Sequence, residues 1–285
     1  MRLTVFQVPY DSGRYGERMG RGPLHLVERG VLRTLEAQGH DVELVMLRLP
    51  DGFVTEAGAA VELQRQLAQA AGQARTARRL PVVLAGNCNA TLGVLAAAHA
   101  ETPPHATGLL WLDAHADFNT PETSRSGFFD GMALSMITGD VWQALAATVP
   151  GFRPLSERDV ILVGARDLDP AEEQRLASSQ IVCLAAGDVP GALVPALVNL
   201  RQRVPRVHLH IDLDVLDPSV GRANAFAVPG GLLLAQTEAV VAAAGEHLQI
   251  AGATFSAYDP EQDPEGRIVR AAGTLLAAVV EAAGA

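Results

Sequence analysis

Residues 109–119 read LLWLDAHADFN. The apolar run Leu109 to Leu112 predicts a buried parallel strand. Directly after it come Asp113, His115 and Asp117 at a spacing of two. On an extended segment that spacing puts all three side chains on one face. Two carboxylates and an imidazole suit a hard or borderline divalent cation such as Mn²⁺. The carboxyl ends of parallel strands are also where open α/β sheets bind ligands. The plain alternative is a surface turn with two solvated acids.

A second stretch argues against that alternative. Residues 206–218 read RVHLHIDLDVLDP. Val207, Leu209, Ile211 and Leu213 alternate with His208, His210, Asp212 and Asp214, so one face is apolar and the other carries His-His-Asp-Asp. Paired buried carboxylates repel each other unless a cation or a proton compensates. A metal is the economical explanation. The two histidines lie earlier on the strand, deeper in the sheet, where a hydrogen-bonded core or supporting role is favoured over ligation.

The rest of the chain supplies the frame. Residues 2–8 predict a first strand, followed by the Gly- and Arg-rich loop DSGRYGERMGRGP, which lacks any phosphate-loop spacing. A helix is expected over 23–38, with Pro23 near its start and Gly39 after its end. Strands follow at 41–47 and 81–86, with a helix over 60–79 between them. The 81–86 strand runs into Asn87, Cys88 and Asn89 and then a helical segment. Cys88 thus sits at a strand–turn–helix tip, where a thiol is either a small buried residue or a ligand or nucleophile. Further strands are expected at 159–164, 180–184 and 253–260, and helices from about 130, over 190–203 and at the C-terminus. Strands alternate with helices throughout, with no linker or repeat. The expectation is one α/β domain over residues 1–285, with a mainly parallel sheet of about eight strands flanked by helices on both faces.

Composition narrows the function. The 285 residues are 48% hydrophobic, enough for a large core, and the net charge of −10 argues against nucleic acid or an anionic membrane as partner. Apolar runs stop short of membrane-spanning length. Two cysteines are too few for a disulfide framework, so a cytoplasmic, reduced protein is expected. Cys183, in IVCLA, reads as a buried core residue.

In combination, DAHAD and DLD closely resemble the ureohydrolase superfamily of arginases, agmatinases and formimidoylglutamases. The resemblance extends over nearly the whole chain, including the loop before RGP and the GGL at Gly230–Leu232. It implies hydrolysis of a guanidino or amidino C–N bond by a hydroxide bridging two divalent metals. It implies that Asp113 and Asp212 bridge the metals, that Asp117 serves one, and that His115 and Asp214 serve the other. Asp117 would also accept a hydrogen bond from the hydroxide. Asn119, Ser124 and Ser126 resemble the arginase positions that hold an amino-acid carboxylate. Asp167 and Asp169 resemble the carboxylates near its amino group. A homo-oligomer, trimeric or hexameric, is implied as well.

Three departures qualify the resemblance. The family's GGDHS is AGNCN here, so Cys88 stands where a His ligand is usual. Asp130 aligns with the His often assigned as a proton shuttle, and would serve as a second relay only with a raised pKa. Ala257 aligns with an acidic residue that contacts the guanidinium. Mn²⁺ is the expected metal, with Zn²⁺, Fe²⁺ or Co²⁺ admitted by a thiolate at 88. Hydroxyarginine-hydrolysing relatives carry a Cys at this position, so arginine or a derivative such as N-hydroxyarginine is the expected substrate. The alternatives are hydrolysis of formimidoylglutamate, agmatine or another small amidino compound, and a degenerate non-catalytic homologue. A further alternative makes Cys88 a nucleophile, but no base adjoins it in sequence and the acids would then be unexplained.

Overall fold

The computed structural model describes residues 1–50, 55–101 and 107–284. In chain order, β1 (Arg2–Val8) leads into a small antiparallel hairpin, β2 (Tyr10–Asp11) and β3 (Arg14–Tyr15). Two short helices follow, α1 (Gly22–Glu28) and α2 (Arg33–Ala37), then β4 (Asp41–Met46), α3 (Glu56–Thr76), β5 (Leu80–Ala85) and α4 (Ala90–Glu101). Next come β6 (Thr107–Leu112), α5 (Ala133–Thr138), α6 (Gln143–Ala146), β7 (Val160–Val163), α7 (Pro170–Ser178), β8 (Val182–Leu184) and α8 (Val189–Arg201). The chain closes with β9 (Arg206–Asp212), α9 (Leu234–His247), β10 (Gln249–Ser256) and α10 (Arg267–Gly284).

Eight strands form one parallel sheet in the order β4-β1-β5-β10-β9-β6-β7-β8. This is the expected single α/β domain with helices on both faces. Alternation along each strand sorts the core. Leu3, Val5, Val82, Leu84, Leu110, Leu112, Val207, Leu209 and Phe255 pack in one cluster with α1, α8, α9 and α10. On the opposite face Phe6, Val8, Val83 and Ala85 meet α3 and α4. Leu109, Trp111 and Leu162 share a third cluster with residues of α4 and α5.

The late strands β9 and β10 are inserted between β5 and β6. This puts the C-terminal ends of β5, β10, β9 and β6 side by side at the sheet centre, though they are remote in sequence. Such a switch in winding direction is where a crevice opens.

Several expectations need correcting. The 23–38 helix is two helices, separated at Gly30, which has φ of +82°. The last strand ends at Ser256, and Ala257 beyond it has φ of +60°. Cys183 is exposed: among the described residues β8 is an edge strand with a neighbour on one side only.

Gly86, at the end of β5, fixes how closely the first loop approaches. A Cβ there would lie 2.3 Å from the Tyr10 carbonyl oxygen and 2.9 Å from Gly20 backbone atoms. Gly72 on α3 has nothing within 4 Å of its Cβ position. Gly86→Ala should therefore destabilise by about 1–3 kcal/mol through overpacking. Gly72→Ala should be neutral or stabilise by up to about 1 kcal/mol. Thermal unfolding of the pair checks the contrast, and equal midpoints would contradict it.

Candidate metal centre

The β5–α4 turn carries Cys88, which is buried. The backbone N–H groups of Cys88 and Asn89 donate to the two carboxylate oxygens of Asp130, each at 2.8 Å. Asn87 donates its side-chain amide to the same carboxylate at 3.0 Å. Asp130 thus clamps the turn that leads into α4. Burial pushes its pKa up to about 7 against the pull of these three donors.

Strand β6 stops at Leu112, so the DAHAD side chains do not converge by strand alternation. The backbone bends at Ala114 and His115, and Asp117 takes φ of +49°, a left-handed conformation that Asp tolerates better than most residues. The bend folds His115 back: its Nδ1 lies 3.3 Å from Asp113 Oδ1 and 3.4 Å from Asp214 Oδ2. Trp111 donates its indole N–H to Asp113 Oδ2 at 2.9 Å.

Strand β9 ends similarly. Asp212 Oδ1 accepts from the Asp214 N–H at 2.8 Å and caps a single 3₁₀ turn over Leu213–Val215. That turn aims Asp214 at His115. Asn224 donates to Asp214 Oδ2 at 3.0 Å and to the Ala257 carbonyl at 2.8 Å. The Arg166 guanidinium donates to the carbonyls of Asp214, Val228 and Gly164 at 2.9–3.0 Å, tying three loops together. Cys88 Sγ lies 3.1 Å from Asp212 Oδ2 and 3.2 Å from Ser256 Oγ.

Four buried carboxyl groups, Asp113, Asp117, Asp212 and Asp214, therefore share one small volume. Burial and mutual repulsion raise Asp117 and Asp212 well above the ordinary range. Asp113 rises to about 6, mainly through burial. Burial alone would raise Asp214 too, but His115 and donated hydrogen bonds bring it below its usual value. His115 is pulled down by burial and up by Asp113, Asp214 and Asp167, with a net rise to about 9. Asp117 Oδ2 is buried without a hydrogen-bond partner. Burial, an orphaned oxygen and an oxygen-rich donor set all fit divalent cations. Two overlapping groups hold their donor atoms within 4.8 Å of one another: Asp113, His115 and Asp214, and Cys88, Asp113 and His210.

These groups floor a cavity of about 300 Å³. Cys88, His115, Asp117, Asn119, Ser124, Ser126, Asp130, Asp167, Asp169, Asp212 and Asp214 all line it. Asp113 stands beneath, held by Trp111. Every site residue expected from sequence is thus in or under one cavity. Sequence reasoning missed Glu172, Asn224 and Phe226, which also line it. Glu172 accepts from the Phe118 N–H at 2.9 Å and the Asp169 N–H at 3.3 Å. The Asp169-x-x-Glu172 spacing of a capping box was its available signal. Asn224 and Phe226 lie in a loop with no such pattern.

Comparison with known proteins identifies the family. The Arginase family model matches residues 1–281. The chain is 29% identical to the arginase of Bacillus caldovelox over 292 residues, 96% of each protein. It is 30% identical to arginase-1 of Xenopus laevis over 252 residues, covering 80% of this chain and 77% of the relative. The crystal structure of Bacillus cereus arginase superposes with a TM-score of 0.88 at 25% identity, covering 98% of both chains. This chain belongs to the arginase family and is an amidinohydrolase of that family.

Proposed function

We propose that the protein hydrolyses the guanidino or amidino C–N bond of a small amino-acid-like substrate, arginine or a derivative such as N-hydroxyarginine. One observation carries the reading: a floor of four buried carboxylates with a single imidazole between them lies under a rim of Asn, Ser and Asp side chains in one cavity.

Asp113 and Asp212 would bridge two divalent cations, Asp117 and Cys88 would serve one, and His115 and Asp214 the other. Mn²⁺ suits the oxygen-rich set, and Cys88 adds Zn²⁺, Fe²⁺ or Co²⁺ to the range. Such cations, when bound, supply the charge that compensates the carboxylates and the acidity that makes water a nucleophile at neutral pH. The chain's own residues do the rest. Asp117, with one oxygen free, orients the attacking water and passes its proton to the leaving amine. Asp130 is less suited to a second relay, since its oxygens already accept three hydrogen bonds.

The rim supports recognition of an amino-acid head group. Ser124 and Ser126 use their oxygens to accept from the N–H groups of Gly127 and Phe128, which leaves both hydroxyl protons to donate. Asn119 spends its side-chain carbonyl on Thr123, which leaves its amide to donate. Three donors suit a carboxylate, and Asp167 and Asp169 suit an ammonium. Formimidoylglutamate or another small amidino acid is the second reading, because Ala257 offers no carboxylate to a strongly basic guanidinium. A homo-oligomer in the cytoplasm, trimeric or hexameric, belongs to the same proposal. Among the described residues no helix is long and apolar enough to cross a membrane.

A panel of arginine, N-hydroxyarginine, agmatine, formimidoylglutamate and guanidinobutyrate, run with Mn²⁺, Co²⁺ and Zn²⁺, tests the reading. Urea, hydroxyurea and formamide are the products scored. Agmatine, which lacks the carboxylate, should show kcat/KM lower than the best amino-acid substrate by on the order of 10²-fold or more. Equal turnover of agmatine would refute the carboxylate assignment. No product from any substrate with a fully loaded protein would favour a non-catalytic homologue.

Asp117→Asn should retain the fold and lose about 10²–10⁴-fold in kcat. An unchanged kcat would remove Asp117 from the mechanism.

Metal removal should expose the repulsion in the floor. The raised pKa of Asp113 means that the metal-free fold binds a proton more tightly than the unfolded chain. Stability from that group falls as pH rises from about 4 to 6. His115 is also raised, so its contribution is full below about 6.5 and lost as pH passes 9. Asp214 works the other way, but only in acid below its usual range. Chelator-treated protein should therefore unfold at progressively lower temperature from about pH 5 to 9, and metal-loaded protein should resist this. Identical pH profiles for the two forms would refute compensation by metal.

A further inference from the structure

The floor holds two donor groups of different character that share Asp113. Asp113, His115 and Asp214 are oxygens with one imidazole. Cys88, Asp113 and His210 bring a thiol and an imidazole to the same carboxylate, and all three are buried. The second group lies one layer deeper. His210 precedes Asp212 by two residues on β9, on the same face, and pairs with Trp111 of β6 and Thr254 of β10.

We propose that Cys88, His210 and Asp113 form a thiolate–imidazole–carboxylate site for a borderline divalent cation of the zinc class, with Asp212 as fourth donor. The imidazole absent at position 88 is then supplied from β9, two strands away from β5 in the sheet. The proposal deepens the reading of the metal centre given above and rests on it.

Three features carry it. First, the His210 ring is held as ligating histidines are held. Its Nδ1 lies 2.7 Å from Thr91 Oγ1; in the tautomer protonated at Nδ1 that hydroxyl accepts the ring N–H and the Nε2 lone pair is free for a cation. Nε2 itself has only a long contact, 3.4 Å, to Ser256 Oγ. Second, Trp111 orients two of the donors at once. Its indole stacks on the imidazole with centroids 3.5 Å apart and planes 17° apart, and its N–H donates to Asp113 Oδ2. Third, the remaining donors are within reach. Cys88 Sγ is 3.1 Å from Asp212 Oδ2 and 3.2 Å from Ser256 Oγ, the same hydroxyl that touches His210. Cys88, Asp113 and His210 bring one sulfur, one nitrogen and one carboxylate within 4.8 Å of one another, and Asp212, which touches the sulfur but lies outside that group, would complete a four-donor set of the kind zinc takes by turning towards it. Binding of a divalent cation releases the Cys88 thiol proton to solvent, so the site gains two charges and loses one proton. The oxygen-rich group beside it keeps the preference for Mn²⁺, so the two positions differ in metal preference. The competing description is a dry hydrogen-bonded chain, Thr91–His210–Ser256–Cys88–Asp212, with no metal in it.

Reconstitution of the full chain with Co²⁺ separates the two. Metal content and the optical spectrum are measured for wild type, Cys88→Ser, His210→Gln and Thr91→Val. Wild type should take two Co²⁺ per chain and show a thiolate-to-cobalt charge-transfer band. Cys88→Ser should lose the band. His210→Gln should bind one Co²⁺ as wild type does, with at least about tenfold weaker affinity for the other and an altered band. Thr91→Val removes only the hydroxyl that contacts Nδ1 of the ring, and should weaken the same site by about 10–100-fold. It carries the test if His210→Gln fails to fold. Wild-type affinity and spectrum in both His210→Gln and Thr91→Val would overturn the proposal, as would two bound Co²⁺ without a charge-transfer band in wild type. If that happens while the loaded enzyme still hydrolyses an amidine, only the proposal fails. If wild type binds no Co²⁺, Mn²⁺ or Zn²⁺, the metal reading of the whole centre fails with it.

Discussion

Repulsion between buried carboxylates is the constraint on which the centre of this molecule depends. Asp113, Asp117, Asp212 and Asp214 are each nearly inaccessible, and His115 is the one cationic side chain in contact with them among the described ion pairs. Two like charges 4 Å apart cost about 4 kcal/mol at an effective dielectric of 20. A fold of ordinary stability cannot hold four such groups ionised without compensation. It must keep protons on some of them or bind cations. The raised pKa values of Asp113, Asp117 and Asp212 describe the first state, and the orphaned oxygen of Asp117 points to the second.

The scaffold tolerates this because the repulsion is confined to strand ends. The strands beneath are mostly apolar, with His208 and His210 of β9 the main polar exceptions, and the helices pack on Leu, Val and Ile side chains. The acids themselves are fixed by neighbouring backbone and neutral donors: the Asp214 N–H on Asp212, the Trp111 indole on Asp113 and the Asn224 amide on Asp214. These donors orient the carboxylates without cancelling their charge. The site stays electrostatically strained and structurally fixed, a combination suited to holding cations in place.

Legibility in the sequence followed the range of the interactions. DAHAD and DLD were readable because their donors are two residues apart, even though the supposed alternation is really a bend at one strand end and a 3₁₀ turn at the other. The buried strands were readable from continuous apolar runs. The insertion of β9 and β10 between β5 and β6 was not, since strand order depends on packing across the whole sheet. For that reason Asn224, Phe226 and the contact of Thr91 with His210, 119 residues apart, lay outside any local pattern. Cys183 was misread because periodicity cannot tell an edge strand from a central one.

The departures at 88 and 130 form one physical unit rather than two separate losses. Asp130 accepts from the N–H groups of Cys88 and Asn89 and from the Asn87 side chain, so it fixes the turn that presents Cys88. All three partners are donors. A carboxylate meets every one of them, whereas a protonated acid would bring a fourth hydrogen with no acceptor among them. Asn87 extends the clamp outward: its carbonyl accepts from the Ser12 N–H and its amide approaches Asp11, which pairs with Arg18. The thiol is thereby tied through Asp130 and Asn87 to the first loop of the chain. An imidazole at position 130 could not accept three hydrogen bonds, so restoring His there alone would release the Cys88 turn.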